Sequence, residues 1–212
     1  MVWNSEKKLL FIHIPKTGGS SIEYSMGCFE NENRGYKIVN NKAIQHATWR
    51  YYKNIEPKIS IEVNKKWNIF SIVRNPYDKL VSEFYFLKKM NLQDLSYGKK
   101  YFKNINDMTI DDFIDYTRYI VKNKLYKLTL YHDHFMPQSN FIFDNKGNIK
   151  INKLFYFYQI KNGDVLKFLN KFGITKIEHK NHNEIKKDVK LNPKQKLKIR
   201  QIYNRDFRLL FK

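Results

Sequence analysis

The chain has 212 residues, 42% of them hydrophobic and 16% aromatic, and its 40 basic residues against 20 acidic ones give a formal net charge of +20. The length suits one domain over residues 1–212, and the apolar content excludes a disordered chain. We find neither a run of about 18 apolar residues that could span a membrane nor the apolar segment of a secretion signal, so we expect a cytoplasmic protein.

The first predicted element is an apolar strand that leads into a loop rich in lysine, glycine and serine. Leu9 to Ile14 is mostly apolar and is followed by Pro15, which is typical of a buried parallel strand. The glycines of the loop allow a tight turn and a close approach of the backbone to a ligand. A helical pattern follows, and the free N–H groups at a helix start favour an anion, as does a nearby lysine. The sequence therefore predicts a phosphate or sulfate site formed by Lys16, Thr17, Gly18, Gly19, Ser20 and Ser21.

A second strand and helix follow a short helical segment that begins at His46. Trp67–Val73 is predicted to be a buried strand, and Pro76 is tolerated in the first turn of the helix after it. Arg74 then lies at the carboxyl end of this strand, and Ser82 lies two turns into the helix. Both side chains can reach the crevice at the sheet edge where open α/β sheets bind ligands.

The later elements continue the alternation of strands and helices. We predict a loop at Gln93–Asn106, a helix capped by Thr109, a hairpin over Asn140–Ile149, a strand at Leu154–Tyr158, a helix that ends at Gly173, and a last helix after Asn192-Pro193. Such alternation predicts a three-layer α/β fold with a mainly parallel central sheet flanked by helices.

The two strand–helix junctions together resemble sulfotransferases that use 3′-phosphoadenosine 5′-phosphosulfate (PAPS). The loop from Pro15 to Ser21 resembles their 5′-phosphosulfate loop, and it differs from a Walker loop because its lysine precedes both glycines. Arg74 and Ser82 stand eight residues apart, as in the 3′-phosphate element of that family. The order of the later motifs resembles the carbohydrate-type members, related in pattern to uronyl 2-O-sulfotransferases. Among these later motifs, His179-Lys180-Asn181 is similar to a His-x-Asn stretch of the family.

The resemblance implies a P-loop-like fold, PAPS as cosubstrate and no metal. Lys16 to Ser21 would hold the 5′-phosphosulfate, with Lys16 also stabilising charge on the leaving group, and Arg74 and Ser82 would hold the 3′-phosphate. His46 is the first candidate for the base because it takes the family's histidine position before the second strand. His134 is the alternative base, and His134 and Gln138 are candidates for acceptor binding.

Two further histidine features carry weaker functional predictions. His13 lies within the first strand, which favours a structural role. His132-Asp133-His134 resembles a metal-binding pair, but the sequence identifies no third ligand, so we expect no zinc site.

The acceptor implied by the resemblance is a hydroxyl compound such as a glycan, which can itself be anionic. We expect no specific nucleic-acid partner. Two alternatives stay open on the sequence alone. One is an ATP-dependent small-molecule kinase on the same architecture, and the other is a non-catalytic binder of polyanions that uses the basic surface.

Overall fold

A four-stranded sheet forms the centre of the computed structural model of this chain. The structure describes residues 2–4, 6–28, 38–39, 42–55, 67–90, 105–127, 132–178 and 190–211. The strands are β1 (Trp3–Asn4), β2 (Leu9–Ile12), β3 (Ile38–Val39), β4 (Lys42–Ala43), β5 (Asn68–Val73) and β6 (Lys153–Tyr156). The helices are α1 (Gly19–Ser25), α2 (Trp49–Ile55), α3 (Pro76–Lys89), α4 (Ile110–Lys122), α5 (Ser139–Ile142), α6 (Tyr158–Lys161), α7 (Asp164–Asn170), α8 (Pro193–Ile202) and α9 (Asn204–Leu210). Three 3₁₀ turns cover Ile44–His46, Leu125–Lys127 and His132–Phe135.

The strand order is β1-β2-β5-β6, and three of these four strands are parallel. β2 pairs with β5 in parallel and β5 pairs with β6 in parallel, whereas β1 is antiparallel to β2. The carboxyl ends of β2, β5 and β6 therefore lie at one edge of the sheet. This arrangement confirms the prediction of a mainly parallel sheet flanked by helices in a P-loop-like α/β fold.

Both faces of the sheet are covered, which explains why β2 is apolar at every position. Leu9 and Phe11 belong to a buried cluster that includes residues of α1 and α7, whereas Leu10 and Ile12 belong to a second cluster with α5 and Leu210. Successive side chains of a strand point to opposite faces, so this division shows helical material on each side. A third cluster joins α3, α4, α8 and α9.

The helix starts read from the sequence are confirmed with their caps. The side chain of Asn75 accepts the backbone N–H of Tyr77 at the start of α3, where Pro76 takes the first position. Thr109 and Asn192 each form a capping box at the start of α4 and α8. These caps satisfy backbone N–H groups that have no partner within the helix.

The predicted hairpin over Asn140–Ile149 is wrong for its first half. Its first residues belong to the short helix α5, and only a single bridge joins Phe143 to Ile149 around the turn at Asp144–Gly147. The reason is a distant carboxylate: Asp206 accepts the backbone N–H groups of Gln138 and Ser139 at 2.8 and 2.9 Å. These two hydrogen bonds satisfy backbone N–H groups at the start of α5 that have no partner within the helix. Because Asp206 is distant in the sequence, no local pattern reveals the contact.

The strand predicted at Leu154–Tyr158 ends two residues earlier, at Tyr156. The side chain of Gln159 accepts the N–H of Tyr156 at 2.8 Å and donates to Asp164 at 2.9 Å, which closes the chain into α6 and α7. Gly173 follows the end of α7 with a φ of 73°, in agreement with its predicted capping role. The loop predicted at Gln93–Asn106 and the stretch His179-Lys180-Asn181 lie almost entirely outside the described residues.

Among the described residues, no helix combines the length and the apolar character that a membrane crossing requires.

Candidate active site

The two predicted anion-binding loops meet at the carboxyl edge of the sheet. β2 and β5 are neighbours in parallel register, so the residues that follow them leave the sheet side by side. The guanidinium of Arg74 donates a hydrogen bond from Nη1 to the carbonyl oxygen of Lys16 at 3.3 Å. Two segments separated by 58 residues in the sequence are thereby joined into one site.

The loop after β2 has a backbone that requires its glycines. Gly18 has a φ of 83°, and a Cβ there would lie 2.9 Å from the side chain of Ile160. A Cβ at Gly19 would lie only 2.0 Å from two atoms of the His13 ring. Thr17 is buried and donates its hydroxyl to the carbonyl of Ile14 at 2.7 Å, which stabilises the turn. The predicted role of the glycines, a tight turn without side chains in the way, agrees with these distances.

We expect Gly19→Ala to destabilise the protein, by about 1–3 kcal/mol as for an overpacked interior site. The added methyl group would displace the ring of His13, which is held by Glu23 and stacked on Phe11. Chemical denaturation gives the change in the free energy of unfolding, with Ser20→Ala on the same first helical turn as the control. An unchanged midpoint for Gly19→Ala would contradict the close packing of His13 on this loop, because alanine is otherwise the better helix former.

Ser20 and Ser21 lie half-buried at the start of α1, which is seven residues long. Lys16 is also half-buried and has a φ of 65°. Its ammonium group lies 3.8 Å from the ring centroid of Phe86, on α3. Burial lowers the pKa of Lys16, and Arg74 and Lys79 lower it further, while Glu83 opposes the shift. The cation thus lies against the helix that follows β5.

Arg74 is held from several sides. The side-chain amide of Gln138 accepts the N–H of Arg74 at 2.9 Å and donates to its carbonyl at 2.7 Å. Its guanidinium carbon lies 4.4 Å from the ring centroid of Phe157, in cation–π range. The Nε atom is buried without a hydrogen-bond partner. An oriented guanidinium that lines a cleft is suited to bind an anion.

Gln138 was a sequence candidate for acceptor binding, and the structure gives its side chain another partner. It is fully buried, with both amide atoms engaged by the backbone of Arg74. In this arrangement both amide atoms of Gln138 hold the backbone of Arg74. Ser82 is also nearly fully buried, at 5% exposure, on α3.

Three histidines form a row beside the first loop, and each has a carboxylate on its Nδ1 atom. His13 pairs with Glu23, His46 with Asp133 at 2.8 Å, and His134 with Glu83 at 2.9 Å. The ring centroids of His13 and His46 are 4.9 Å apart, and those of His46 and His134 are 4.8 Å apart. The structure therefore brings both predicted base candidates together, with His46 in the middle.

The packing of His13 fits the structural role read from the sequence and adds a link to His46. Its partner Glu23 also accepts a hydrogen bond at 3.0 Å from Gln45, the residue before His46. Glu23 on α1 thereby ties the His46 segment to the first loop.

The carboxylates around this row balance buried cations. Lys79 is almost fully buried and donates to the carbonyl of His134 at 2.6 Å. Burial lowers the pKa of Lys79, and Glu83 is the strongest of the acidic groups that oppose this shift. Burial by itself would raise the pKa of Glu83, but His134, Lys16 and Lys79 together hold it below its usual range. Buried charges persist only when they are paired in this way.

Burial lowers the pKa of His46 to about 4, and the neighbouring rings of His134 and His13 add to this shift while Asp133 opposes it. His46 is therefore neutral near pH 7. A neutral imidazole whose Nδ1 faces a carboxylate has its proton on Nδ1 and a lone pair on Nε2. That is the form in which a histidine accepts a proton.

The low pKa of His46 predicts a loss of stability in mild acid. Between pH 6.5 and 4 the unfolded chain binds a proton at His46 that the folded chain does not, so stability falls as the pH falls. At pH 5 the cost is about 2 kcal/mol relative to pH 7.5. Urea denaturation at both pH values should show this loss of stability in the wild type. The loss should be smaller by about this amount in His46→Gln, which lacks the titrating ring. An equal pH dependence in both proteins would contradict the low pKa.

The expectation that the His132-Asp133-His134 stretch lacks a third ligand is corrected by the fold. Ligand atoms of His46, Asp133 and His134 all lie within 4.8 Å of one another. The side chain of His132 lies outside the described part of the chain. The Nδ1 atoms of both described histidines already face carboxylates, so the contacts between these side chains account for the cluster by themselves.

A cleft of about 650 Å³ opens beside Arg74. Aromatic residues form much of its wall, with Tyr156, Phe157 and Tyr158 at the end of β6 and Phe211 after α9. Arg74 and Asp78 supply charged groups at the same cleft. An aromatic wall next to an oriented arginine suits a ligand with a planar ring and a phosphate.

The comparison with protein families decides between the classes that such a site could serve. A model described as the sulfotransferase family matches residues 1–212. The chain belongs to the sulfotransferase family. No curated protein and no solved structure gives a significant match, so the family assignment rests on this model together with the fold.

The candidate site of the sulfotransferase also contains several residues that the sequence reasoning did not assign to it. Glu23, Glu83 and Asp133 each orient a histidine, and Asp206 supports the segment that carries Gln138. One signal was available: Glu23 and Glu83 stand among apolar residues of helices, where a charged side chain needs a buried partner. The identity of that partner depends on the tertiary structure alone.

Proposed function

We propose that this sulfotransferase transfers a sulfuryl group from PAPS to a hydroxyl group of a carbohydrate, with His46 as the base and without a metal ion. The single observation that carries the proposal is the hydrogen bond from Arg74 to the carbonyl of Lys16, because it unites the two predicted cofactor elements. The family match supports sulfuryl transfer as the reaction.

The residues at this edge fit a cosubstrate with anionic groups at both ends. Lys16 and the glycine-containing loop are suited to the 5′-phosphosulfate. Arg74, with its unpaired buried Nε, is suited to the 3′-phosphate, and Ser82 is proposed to assist it. When bound, PAPS supplies a sulfuryl group that is activated by a phosphate leaving group. Lys16 and the backbone N–H groups near Gly18 to Ser21 then favour the negative charge that develops on that leaving group.

His46 is proposed to accept the proton of the acceptor hydroxyl. Its neutral state near pH 7 and its orientation by Asp133 suit this role, although its low pKa makes it a weaker base than a free histidine. His134 is the alternative base. Its ring stacks on Phe86, the residue that also contacts Lys16.

The proposal of a carbohydrate acceptor rests on the resemblance to carbohydrate-type sulfotransferases. The net charge of +20 agrees with an acceptor that is itself anionic. We propose no metal because Lys16 and Arg74 supply positive charge at the proposed cosubstrate site, which is the task of magnesium in phosphoryl transfer.

Calorimetric titration with adenosine 3′,5′-bisphosphate in the presence of a chelator tests the proposal. We expect tight binding at one site, with no gain when magnesium is added. ATP with magnesium is the comparison ligand, and tighter binding of ATP would instead support a kinase. A protein that binds neither nucleotide but retains salt-dependent binding to heparin would be a polyanion binder, and the proposal would be wrong.

A further inference from the structure

We infer that Asp133 is a positioning residue for the proposed base: its carboxylate fixes the His46 ring in the Nδ1–H tautomer, so that Nε2 is the atom that takes the acceptor proton. This inference rests on the proposed function of His46 and adds to it a residue that acts through another.

The contact between the two side chains is short and partly buried. His46 Nδ1 and Asp133 Oδ2 are 2.8 Å apart, and the exposed fractions of the two side chains are 10% and 15%. The residues stand 87 positions apart in the sequence, on separate 3₁₀ turns at Ile44–His46 and His132–Phe135. Nothing local in either turn requires their approach, so the fold as a whole places this carboxylate on this nitrogen.

Asp133 differs from the other two carboxylates of the row. Both oxygens of Glu83 face His134, and the two oxygens of Glu23 are taken by His13 and Gln45. Asp133 engages His46 through Oδ2, and a hydrogen bond from the backbone N–H of His134 also helps to lower the pKa of its carboxyl group. Oδ2 of Asp133 is the acceptor that faces His46 Nδ1, so the tautomer of this ring depends on this carboxylate.

The surroundings of His46 keep the ring neutral until it reacts. His13 from the end of β2 and His134 beside Asp133 face the ring, with Glu23 and Glu83 behind them. Buried Lys79 is held at the carbonyl of His134. The carboxylate of Asp133 is itself held below its usual pKa, since the effects of His46 and His134 exceed that of burial. An ionised acceptor on Nδ1 stabilises the imidazolium that forms when Nε2 gains a proton.

The proton balance of the step is simple. The acceptor oxygen forms a bond to sulfur, and its proton moves to His46 Nε2. The bond between sulfur and the 5′-phosphate oxygen breaks, and that oxygen keeps the electron pair. Asp133 takes no proton at any point; it holds the ring and balances its charge.

The test compares Asp133→Asn with Asp133→Glu, which keeps the charge, and with Asp115→Asn, which removes an exposed carboxylate on α4. Imidazole nitrogen NMR on the whole protein gives the tautomer of each ring, and the signal of His46 is assigned by its absence from His46→Gln. We expect the wild type and Asp115→Asn to show His46 in the Nδ1–H form. In Asp133→Asn the Nε2–H form should appear.

Turnover gives the second readout, with labelled PAPS and chemically desulfated heparin or chondroitin as acceptor probes. We expect Asp133→Asn to lower kcat by about a hundredfold or more, as loss of an orienting aspartate does in a catalytic triad. The affinity for adenosine 3′,5′-bisphosphate should stay within about twofold, and Asp133→Glu should restore part of the activity.

The outcomes separate this inference from the function on which it rests. A wild-type His46 in the Nε2–H form, or an unchanged tautomer in Asp133→Asn, overturns the role of Asp133 even if the variant folds poorly or no acceptor reacts. Loss of turnover in His46→Gln but not in Asp133→Asn also overturns the role of Asp133, while the role of His46 as the base would stand. Failure to bind the bisphosphate at all would instead overturn the proposed function.

Discussion

Replacement of Arg74 by alanine should reduce the affinity for adenosine 3′,5′-bisphosphate by roughly thirtyfold to several thousandfold. Truncating one partner of a buried charge pair costs about 2–5 kcal/mol, and each 1.4 kcal/mol is a tenfold change in affinity. Arg74 is already oriented by Gln138, Phe157 and the carbonyl of Lys16. Little ordering is therefore needed when the anion binds, and calorimetry measures the loss directly.

Two further variants make the Arg74 result specific. Arg118→Ala removes the same charge from the exposed face of α4, and we expect its affinity to stay within about twofold, as for a screened surface charge. Arg74→Lys retains the charge but loses the planar group, so it should bind more weakly than the wild type. If Arg118→Ala and Arg74→Ala weakened binding equally, the effect would come from net charge and the proposed 3′-phosphate site would be wrong.

Replacement of His46 by glutamine should lower kcat by about 10²–10⁴-fold, the usual contribution of a positioned general base. The amide of glutamine can still donate to Asp133, so the two turns should stay in place. Binding of adenosine 3′,5′-bisphosphate should be nearly unchanged because His46 is proposed to act on the acceptor. Transfer of labelled sulfate to a glycan acceptor at saturating PAPS measures the loss.

The neighbouring histidine provides the comparison for this second prediction. Full turnover in His46→Gln together with strong loss in His134→Gln would assign the base to His134. The denaturation midpoint of each variant at pH 7.5 shows whether lost turnover reflects lost folding, since His134 is buried against Glu83 and Phe86.

The elements that position the site were readable from local patterns. An apolar strand followed by a glycine turn predicted β2 and α1, and an apolar strand before Arg-Asn-Pro predicted β5 and α3. Such patterns are informative because strand burial, positive φ at glycine and proline at a helix start each depend on residues close in sequence.

The elements that were read wrongly depend on contacts between distant residues. Asn140–Ile142 has the composition of a strand, yet it is helical because Asp206 satisfies the first N–H groups of α5. The contacts of Gln138 also depend on a distant segment, because both atoms of its amide engage the backbone of Arg74. In both cases the partner lies more than 60 residues away. Local propensity cannot report a hydrogen bond whose partner is set by the fold.

The α/β class, the two strand–helix junctions and the residues that make the family recognisable could be predicted from the sequence, because each of these depends on short-range spacing. The contact of Arg74 with Lys16, the row of three histidines and the carboxylate on each Nδ1 became visible only in the folded chain. Those contacts join residues that follow the carboxyl ends of different parallel strands and residues from separate turns. The physical reason is that a parallel sheet brings the carboxyl ends of its strands to one edge, and side chains from distant positions meet there.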